Sequence, residues 1–372
     1  MGLFDWLCRT FLGKSFTAAM ESVARQQQID TWRRKRQSAR SHCILPDNGV
    51  LPPRKTRDPR TGQISETAYD DGLHGLAKAL GLRPNRFARL LFSEKRLYTT
   101  FRRPKADGGE RTIDAPVPPL KFVQRRIVDR ILNWIEMSDC VHGFRQGRSL
   151  VTGAAEHVGQ EMVLRMDIAD FFPSIHFGRV HGLFRSLQFA PKHAFMLAKL
   201  TTVDGVLPQG APSSPGIANA ICRKLDRRIL GAAAKRGVVY TRYADDLTFS
   251  GPADAVKSMI PFVRKVIAEE GFAVSQKKVR LMRRGSRQIV TGVVVNDRLS
   301  VPRSYRRWLR AVIHTLGKKG VTADGQTLQE VWASLKSHAH FVAMVNPEQG
   351  EKLLDALASA ARGHVPTADE SG

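Results

Sequence analysis

The chain has 372 residues, enough for two or three domains, and its 42% hydrophobic and 25% charged residues are ordinary for a soluble globular protein. Its 59 Lys and Arg against 34 Asp and Glu leave a net charge of +25 and a sequence pI near 10.6, a field that attracts polyanions, nucleic acid first among them. No apolar run approaches the roughly 20 residues that span a bilayer, which excludes a membrane role, and Cys8, Cys43, Cys140 and Cys222 lack the spacing of a zinc site or a disulfide framework.

The opening Met1-Gly2-Leu3-Phe4-Asp5-Trp6 has an acid where a signal peptide needs basic residues and no Ser or Thr for myristoylation, so the cytoplasm is the expected location. Residues 1–70 read as a basic N-terminal helix and an extended arm. Phe4, Leu7, Phe11, Phe16 and Met20 recur at helical spacing over 3–29, and Trp32-Arg33-Arg34-Lys35-Arg36 follows as a basic cluster, either solvated or in contact with RNA. The stretch 45–66, rich in Pro, Gly, Asp and Arg, predicts a linker or an exposed arm.

Short helices are predicted at 71–81 and 84–92, with Pro84 suited to a first turn. Extended segments at 97–101 and 111–114 flank a turn at Asp107-Gly108-Gly109. A helix over 119–136 should bury Phe122, Ile127, Ile131 and Leu132 and present Arg125, Arg126 and Arg130. Beyond it come a strand at 162–168, helices at 177–187 and 191–200, and a long helix at 214–235. A hairpin at 238–243 and 247–250, a helix at 253–270, strands at 279–283 and 288–295, and helices through 303–361 complete the pattern.

Tyr243-Ala244-Asp245-Asp246 sits at the hairpin's tip between apolar strands. In an isolated loop, two adjacent acids would be only a turn former; between buried strands they are costly unless cations neutralise them. Upstream, Asp167 ends an apolar strand and leads into Ile168-Ala169-Asp170-Phe171-Phe172. If that strand lies beside the hairpin, Asp167, Asp245 and Asp246 converge and can hold two Mg²⁺ ions about 4 Å apart, as in-line nucleotidyl transfer requires.

Taken in this order, the blocks resemble a reverse transcriptase across roughly 75–355. Asp167-Ile168-Ala169-Asp170-Phe171-Phe172 resembles the first catalytic motif, and Leu207-Pro208-Gln209-Gly210-Ala211-Pro212 the nucleotide-pocket loop. Tyr243-Ala244-Asp245-Asp246 resembles the catalytic hairpin, and Gly271-Phe272 with Lys278 the motif after it. The resemblance implies an α+β right-hand polymerase: fingers at 71–160, a palm with an antiparallel sheet at 161–296 (187–207 partly fingers), a helical thumb at 297–362 and a disordered tail at 363–372.

It also implies roles. Asp167, Asp245 and Asp246 would be catalytic and bind metal, with the Ile168 carbonyl beside them. Asp170, Phe171, Phe172, Gln209 and Tyr243 would line the substrate pocket, Phe172 as a gate against a ribose 2′-OH. Lys105 and Arg111 would clamp the triphosphate, and Lys278 would protonate pyrophosphate.

Lys105 to Pro116, His142-Gly143-Phe144-Arg145-Gln146-Gly147-Arg148-Ser149 and Val290-Thr291-Gly292 are similar to bacterial retron enzymes. The retron Asn-Ala-x-x-His element stands here as Gly153-Ala154-Ala155-Glu156-His157, with the Asn lost. Arg145, Arg148 and His157 would meet nucleic acid, as would Arg303, Arg307 and Arg310, which share one face of a helix opposite Tyr305, Leu309, Val312, Ile313 and Leu316. A retron identity implies a structured non-coding RNA as template and primer, dNTPs, a branched RNA–DNA product and an effector protein in anti-phage defence. A group II intron or other defence-associated reverse transcriptase is the alternative, although too few residues follow Gly292 for a splicing or endonuclease domain. A catalytically idle RNA-binding scaffold is the second.

Overall fold

The computed structural model describes residues 44–45, 51, 54–57, 64–67, 72–104, 109–322 and 324–362. The expected helix at 3–29, the basic cluster at 32–36, Lys105 and the tail at 363–372 lie outside the described residues. Within the stretch read as a linker, β1 (Arg54–Arg57) pairs antiparallel with β2 (Ile64–Thr67). Backbone pairing needs little from polar side chains, so composition alone hides such a hairpin.

Helices α1 (Leu73–Ala79) and α2 (Pro84–Leu91) precede the hairpin of β3 (Tyr98–Pro104) and β4 (Glu110–Pro116), close to the expected positions. Helix α3 (Pro118–Arg130) stops before the predicted end, and its buried stripe is Leu120, Val123, Gln124 and Ile127. That stripe leaves Phe122 on the far side, 57% exposed, against expectation. Arg126 and Arg130 do not simply face solvent: they donate to the carbonyls of Leu80 and Ala79 at the C-terminal end of α1, where cations are favoured. Gln124 is buried because it donates to the Tyr98 hydroxyl (2.8 Å) and the Leu200 carbonyl (2.9 Å).

Helix α4 (Leu150–Ala155), which periodicity did not reveal, leads to β5 (Met162–Asp167). Helices α5 (Phe177–Ser186) and α6 (Pro191–Thr201) follow. The expected long helix is two, α7 (Ser214–Ile221) and α8 (Arg223–Ala234), meeting at Cys222. No Pro or Gly marks that joint, so the sequence pattern runs through it unbroken.

Strands β6 (Val239–Tyr243) and β7 (Asp246–Gly251) form the hairpin, α9 (Ala253–Glu269) crosses the sheet, and β8 (Arg280–Arg283) closes it. The four strands lie in the order β6-β7-β5-β8, all antiparallel. The strand expected at 288–295 is a small hairpin, β9 (Ile289–Val290) and β10 (Val293–Val294), because Thr291 and Gly292 both take positive φ (47° and 88°) and reverse the chain. Helices α10 (Arg303–Lys319), α11 (Leu328–Val345) and α12 (Pro347–Arg362) end the described chain.

The result is an α+β right-hand polymerase fold. One apolar core runs from Ile44 to Phe272, so it spans both sides of the boundary expected at residue 160. A second core joins α10, α11 and α12 to Leu150, Val163, Val290 and Val293. On α10, Tyr305, Leu309, Ile313 and Leu316 are buried, while Arg303, Arg307 and Arg310 are exposed.

Candidate active site

Strand register brings the acids together. Asp167, the last residue of β5, stands opposite Asp246, the first of β7. One residue further, the Ile168 N–H donates to the Asp245 carbonyl at 2.9 Å. Tyr243 pairs with Asp246 across a two-residue turn whose first position, Ala244, has φ 58°. That geometry is the II′ pattern, which favours Gly; Ala carries strain there. The chain segment after α9 runs along the same edge, with the Ser275 N–H on the Asp167 carbonyl (2.8 Å) and the Ala169 N–H on the Ala273 carbonyl (2.8 Å).

Charge at this edge is unevenly satisfied. Lys278 donates to Asp167 Oδ1, and Arg165, on the same strand as Asp167, forks onto both oxygens of Asp246, with Nε to Oδ1 at 3.3 Å. Burial pushes the Asp167 carboxyl up, and the Lys278 hydrogen bond works against that. Asp245 is pushed up to about 6, first by burial and then by the neighbouring Asp167 charge. Among the described residues no three acidic, His or Cys side chains form a ready-made metal cluster. Strand register nonetheless sets all three expected acids at one edge, with Asp246 also paired to Arg165. Arg165 was missed in the sequence, where a lone arginine in an apolar strand carries no partner label. The three carboxylates are hard oxygen donors with mutual repulsion, which suits a divalent cation.

Around this edge the other expected residues take distinct places. Asp170 is exposed at φ 42°, and its carbonyl accepts from the Ser174 N–H. Phe171 is 5% exposed and packs on Phe272 (5.9 Å), so it supports the site from below rather than lining it. Phe172 is half-buried beside it, with ring centroids 5.3 Å apart. The Gln209 carbonyl accepts from the Asp114 N–H at 2.9 Å, tying its loop to β4. Gly210 (φ 135°) makes that approach possible, since a Cβ would stand 2.9 Å from the Asp114 carbonyl. Arg111 is half-buried opposite Arg103 in the same hairpin.

Beneath the turn lies a network that no motif announced. Arg242 is fully buried and forks onto Asp226 (Nε to Oδ1 2.8 Å, Nη2 to Oδ2 2.7 Å), whose Oδ1 also accepts from Tyr240 (2.9 Å). Its remaining donors reach Asn219 Oδ1 (2.9 Å) and the Ala244 carbonyl (3.1 Å). Asn219 in turn donates to the Gly143 carbonyl at 2.9 Å. A buried ion pair satisfied at this many atoms fixes one geometry for the strained turn above it.

The model of the family described as "Reverse transcriptase (RNA-dependent DNA polymerase)" matches residues 103–317. The Retron Ec86 reverse transcriptase of Escherichia coli is 35% identical over 251 residues, covering 66% of this chain and 78% of that protein. The chain belongs to the retron reverse transcriptases. The Retron Mx65 reverse transcriptase of Myxococcus xanthus is 41% identical over 277 residues, 69% of this chain and 64% of its own length. Retron Mx162 reverse transcriptase of the same organism is 36% identical over 326 residues, 77% and 66%. The chain thus spans just under two thirds of the length of both Myxococcus relatives.

In this retron family member, His157 does not face nucleic acid. It is fully buried, with Nδ1 2.7 Å from Ser250 Oγ and Nε2 2.7 Å from Thr241 Oγ1, so it braces β6 and β7 from behind. Arg145 and Arg148 are only about a quarter exposed and pair with Asp139 (3.5 and 3.1 Å). Burial pushes the His157 imidazole down to about 3, whereas the unfolded chain titrates near 6.5. Protons therefore bind the unfolded state first: the contribution to stability is complete above pH 6.5 and drains as pH falls toward 3, at roughly 1.4 kcal/mol per pH unit. Between pH 7 and pH 5, unfolding free energy should fall about 2 kcal/mol more in the parental protein than in His157→Gln. Equal acid slopes in urea titrations of the two proteins would refute the assignment.

Proposed function

We propose that the chain is an RNA-directed DNA polymerase that copies a structured non-coding RNA, uses that RNA as primer, and yields a branched RNA–DNA product in anti-phage defence with an effector protein. The observation that carries the polymerase reading is the register of β5 against β7, which sets Asp167 beside the Asp245–Asp246 turn. Asp167, Asp245 and Asp246, with the Ile168 carbonyl, would hold two Mg²⁺ ions. Bound there, magnesium supplies Lewis-acid activation of the attacking hydroxyl and neutralises charge on the phosphate.

The chain's own groups do the rest. Gln209 lies against the incoming nucleotide, and Arg111 with Lys105 grips its triphosphate with fixed positive charge. Phe172 excludes the ribose 2′-OH. Lys278 carries the proton that pyrophosphate takes on leaving. Arg303, Arg307 and Arg310 on the exposed face of α10 follow the duplex backbone, an interaction that salt should weaken. Among the described residues no helix is long and apolar enough to cross a membrane.

The test is primer extension. On an RNA template with an annealed primer, the protein should incorporate dNTPs when Mg²⁺ is supplied and stop when EDTA removes it; no extension on any RNA template overturns the reading. Phe172→Val should then lower the preference for dNTPs over rNTPs by about 10- to 100-fold in kcat/KM, the scale on which a steric contact discriminates. An unchanged ratio would remove Phe172 from the gate.

A further inference from the structure

An exposed aromatic ring stands beside the catalytic turn in a backbone conformation that bulky residues avoid. Phe144 has φ 56° and is 48% exposed, and its ring centroid lies 6.0 Å from that of Tyr243, tilted by 42°. A positive φ costs a phenylalanine on the order of 1–2 kcal/mol, and it persists only where the surroundings enforce it. They do so here on both sides.

On the N-terminal side, the His142 N–H donates to the Arg242 carbonyl at 2.9 Å, and the Gly143 carbonyl accepts from buried Asn219 at 2.9 Å. Gly143 lies so close to the turn that a Cβ would come within 2.7 Å of the Ala244 nitrogen. On the C-terminal side, Arg145 donates to the Ser138 carbonyl at 2.8 Å, and Asp139 gathers both Arg145 and Arg148. A polar network, buried on the N-terminal side, thus holds the backbone while the ring it carries reaches solvent. A folding role would bury that ring. A recognition role leaves it out and locks its position, because a preformed platform binds without an ordering penalty.

Position selects the ligand. Tyr243 precedes the acids by two residues and belongs to the same hairpin, so whatever covers Phe144 and Tyr243 touches the nucleic acid next to the reacting end. Aromatic side chains bind single-stranded nucleic acid by base stacking, which is indifferent to sequence because every base has a π-face. We propose that Phe144, with Tyr243 at its edge, is a stacking platform for an unpaired nucleobase of the strand whose hydroxyl is extended. This rests on the polymerase reading for the identity of that strand. The platform sets the height of the terminal nucleotide over the turn, and the nearby arginines, already shared by Asp139, hold the backbone of the platform itself.

The experiment uses an RNA template with a primer whose terminal 2-aminopurine stands opposite an abasic site, so that the probe base is unpaired. The full-length parental protein should change the probe's fluorescence on binding, and Phe144→Leu should abolish that change. The KM for primer–template should rise about tenfold or more in Phe144→Leu, the scale of one lost base stack, with kcat and the KM for dNTP within about twofold. Phe144→Trp should restore both signals, which a purely structural role would not do, since Trp is the poorer fit to a packed site and Leu the better. A Phe144→Leu protein with the parental probe signal and primer–template KM overturns the platform. So does failure of Trp to rescue a Leu defect. The fluorescence titration needs no catalysis, so absence of incorporation with an intact, Phe144-dependent signal refutes the polymerase reading and not the platform.

Discussion

Asp245→Asn should lower RNA-templated dNTP incorporation by about a thousandfold while leaving RNA binding and folding intact. Losing several kcal/mol of charge stabilisation at the reacting phosphate corresponds to roughly three factors of ten in rate. The amide is nearly isosteric, and the Asp245 main chain, whose carbonyl accepts from Ile168, keeps its bond. Thermal stability should hold or rise, because the substitution removes a charge that Asp167 opposes and burial disfavours. Activity and stability therefore move in opposite directions, as they would not if Asp245 served the fold. Single-turnover primer extension alongside a thermal melt reads both. Incorporation within about threefold of parental would remove Asp245 from the chemistry.

Arg242→Met should cost about 3–5 kcal/mol of stability, the usual consequence of leaving a buried charge without its partner. Asp226 is fully buried, and two of the arginine's nitrogens satisfy its two oxygens. Removing the guanidinium also deprives Asn219 and the Ala244 carbonyl of a donor. Against a typical total of about 5–15 kcal/mol, that is a large fraction. The double replacement Arg242→Met with Asp226→Leu should recover most of the loss, since no unpaired charge then remains. Urea denaturation of the three proteins decides it. A single variant as stable as the parent would mean that the pair is not what holds the turn.

Much of the candidate site was visible in one dimension. Tyr243-Ala244-Asp245-Asp246 reads as a hairpin because apolar strands flank a two-residue turn, and Asp167 reads as a strand end because the apolar run stops there. The face of α10 was equally plain, since Tyr305, Leu309, Ile313 and Leu316 repeat at the helical period and leave Arg303, Arg307 and Arg310 outside. Such features depend on neighbours a few residues away, which the order of residues records directly.

What the order of residues could not record was which distant groups meet. Arg165 on Asp246, Lys278 on Asp167, and Asn219, Asp226 and Ala244 around Arg242 are partners chosen by strand register and helix packing. For the same reason His157 and Phe171, motif residues by sequence, are core residues in space, and Phe122, apolar by sequence, faces water. Charge, periodicity and turn chemistry belong to the chain and established a basic protein of mixed helices and strands with acids at a hairpin tip, to which the resemblance of its motifs added the polymerase expectation. Neutralisation, burial and strain depend on distances between segments far apart in sequence, and only the tertiary structure decided them.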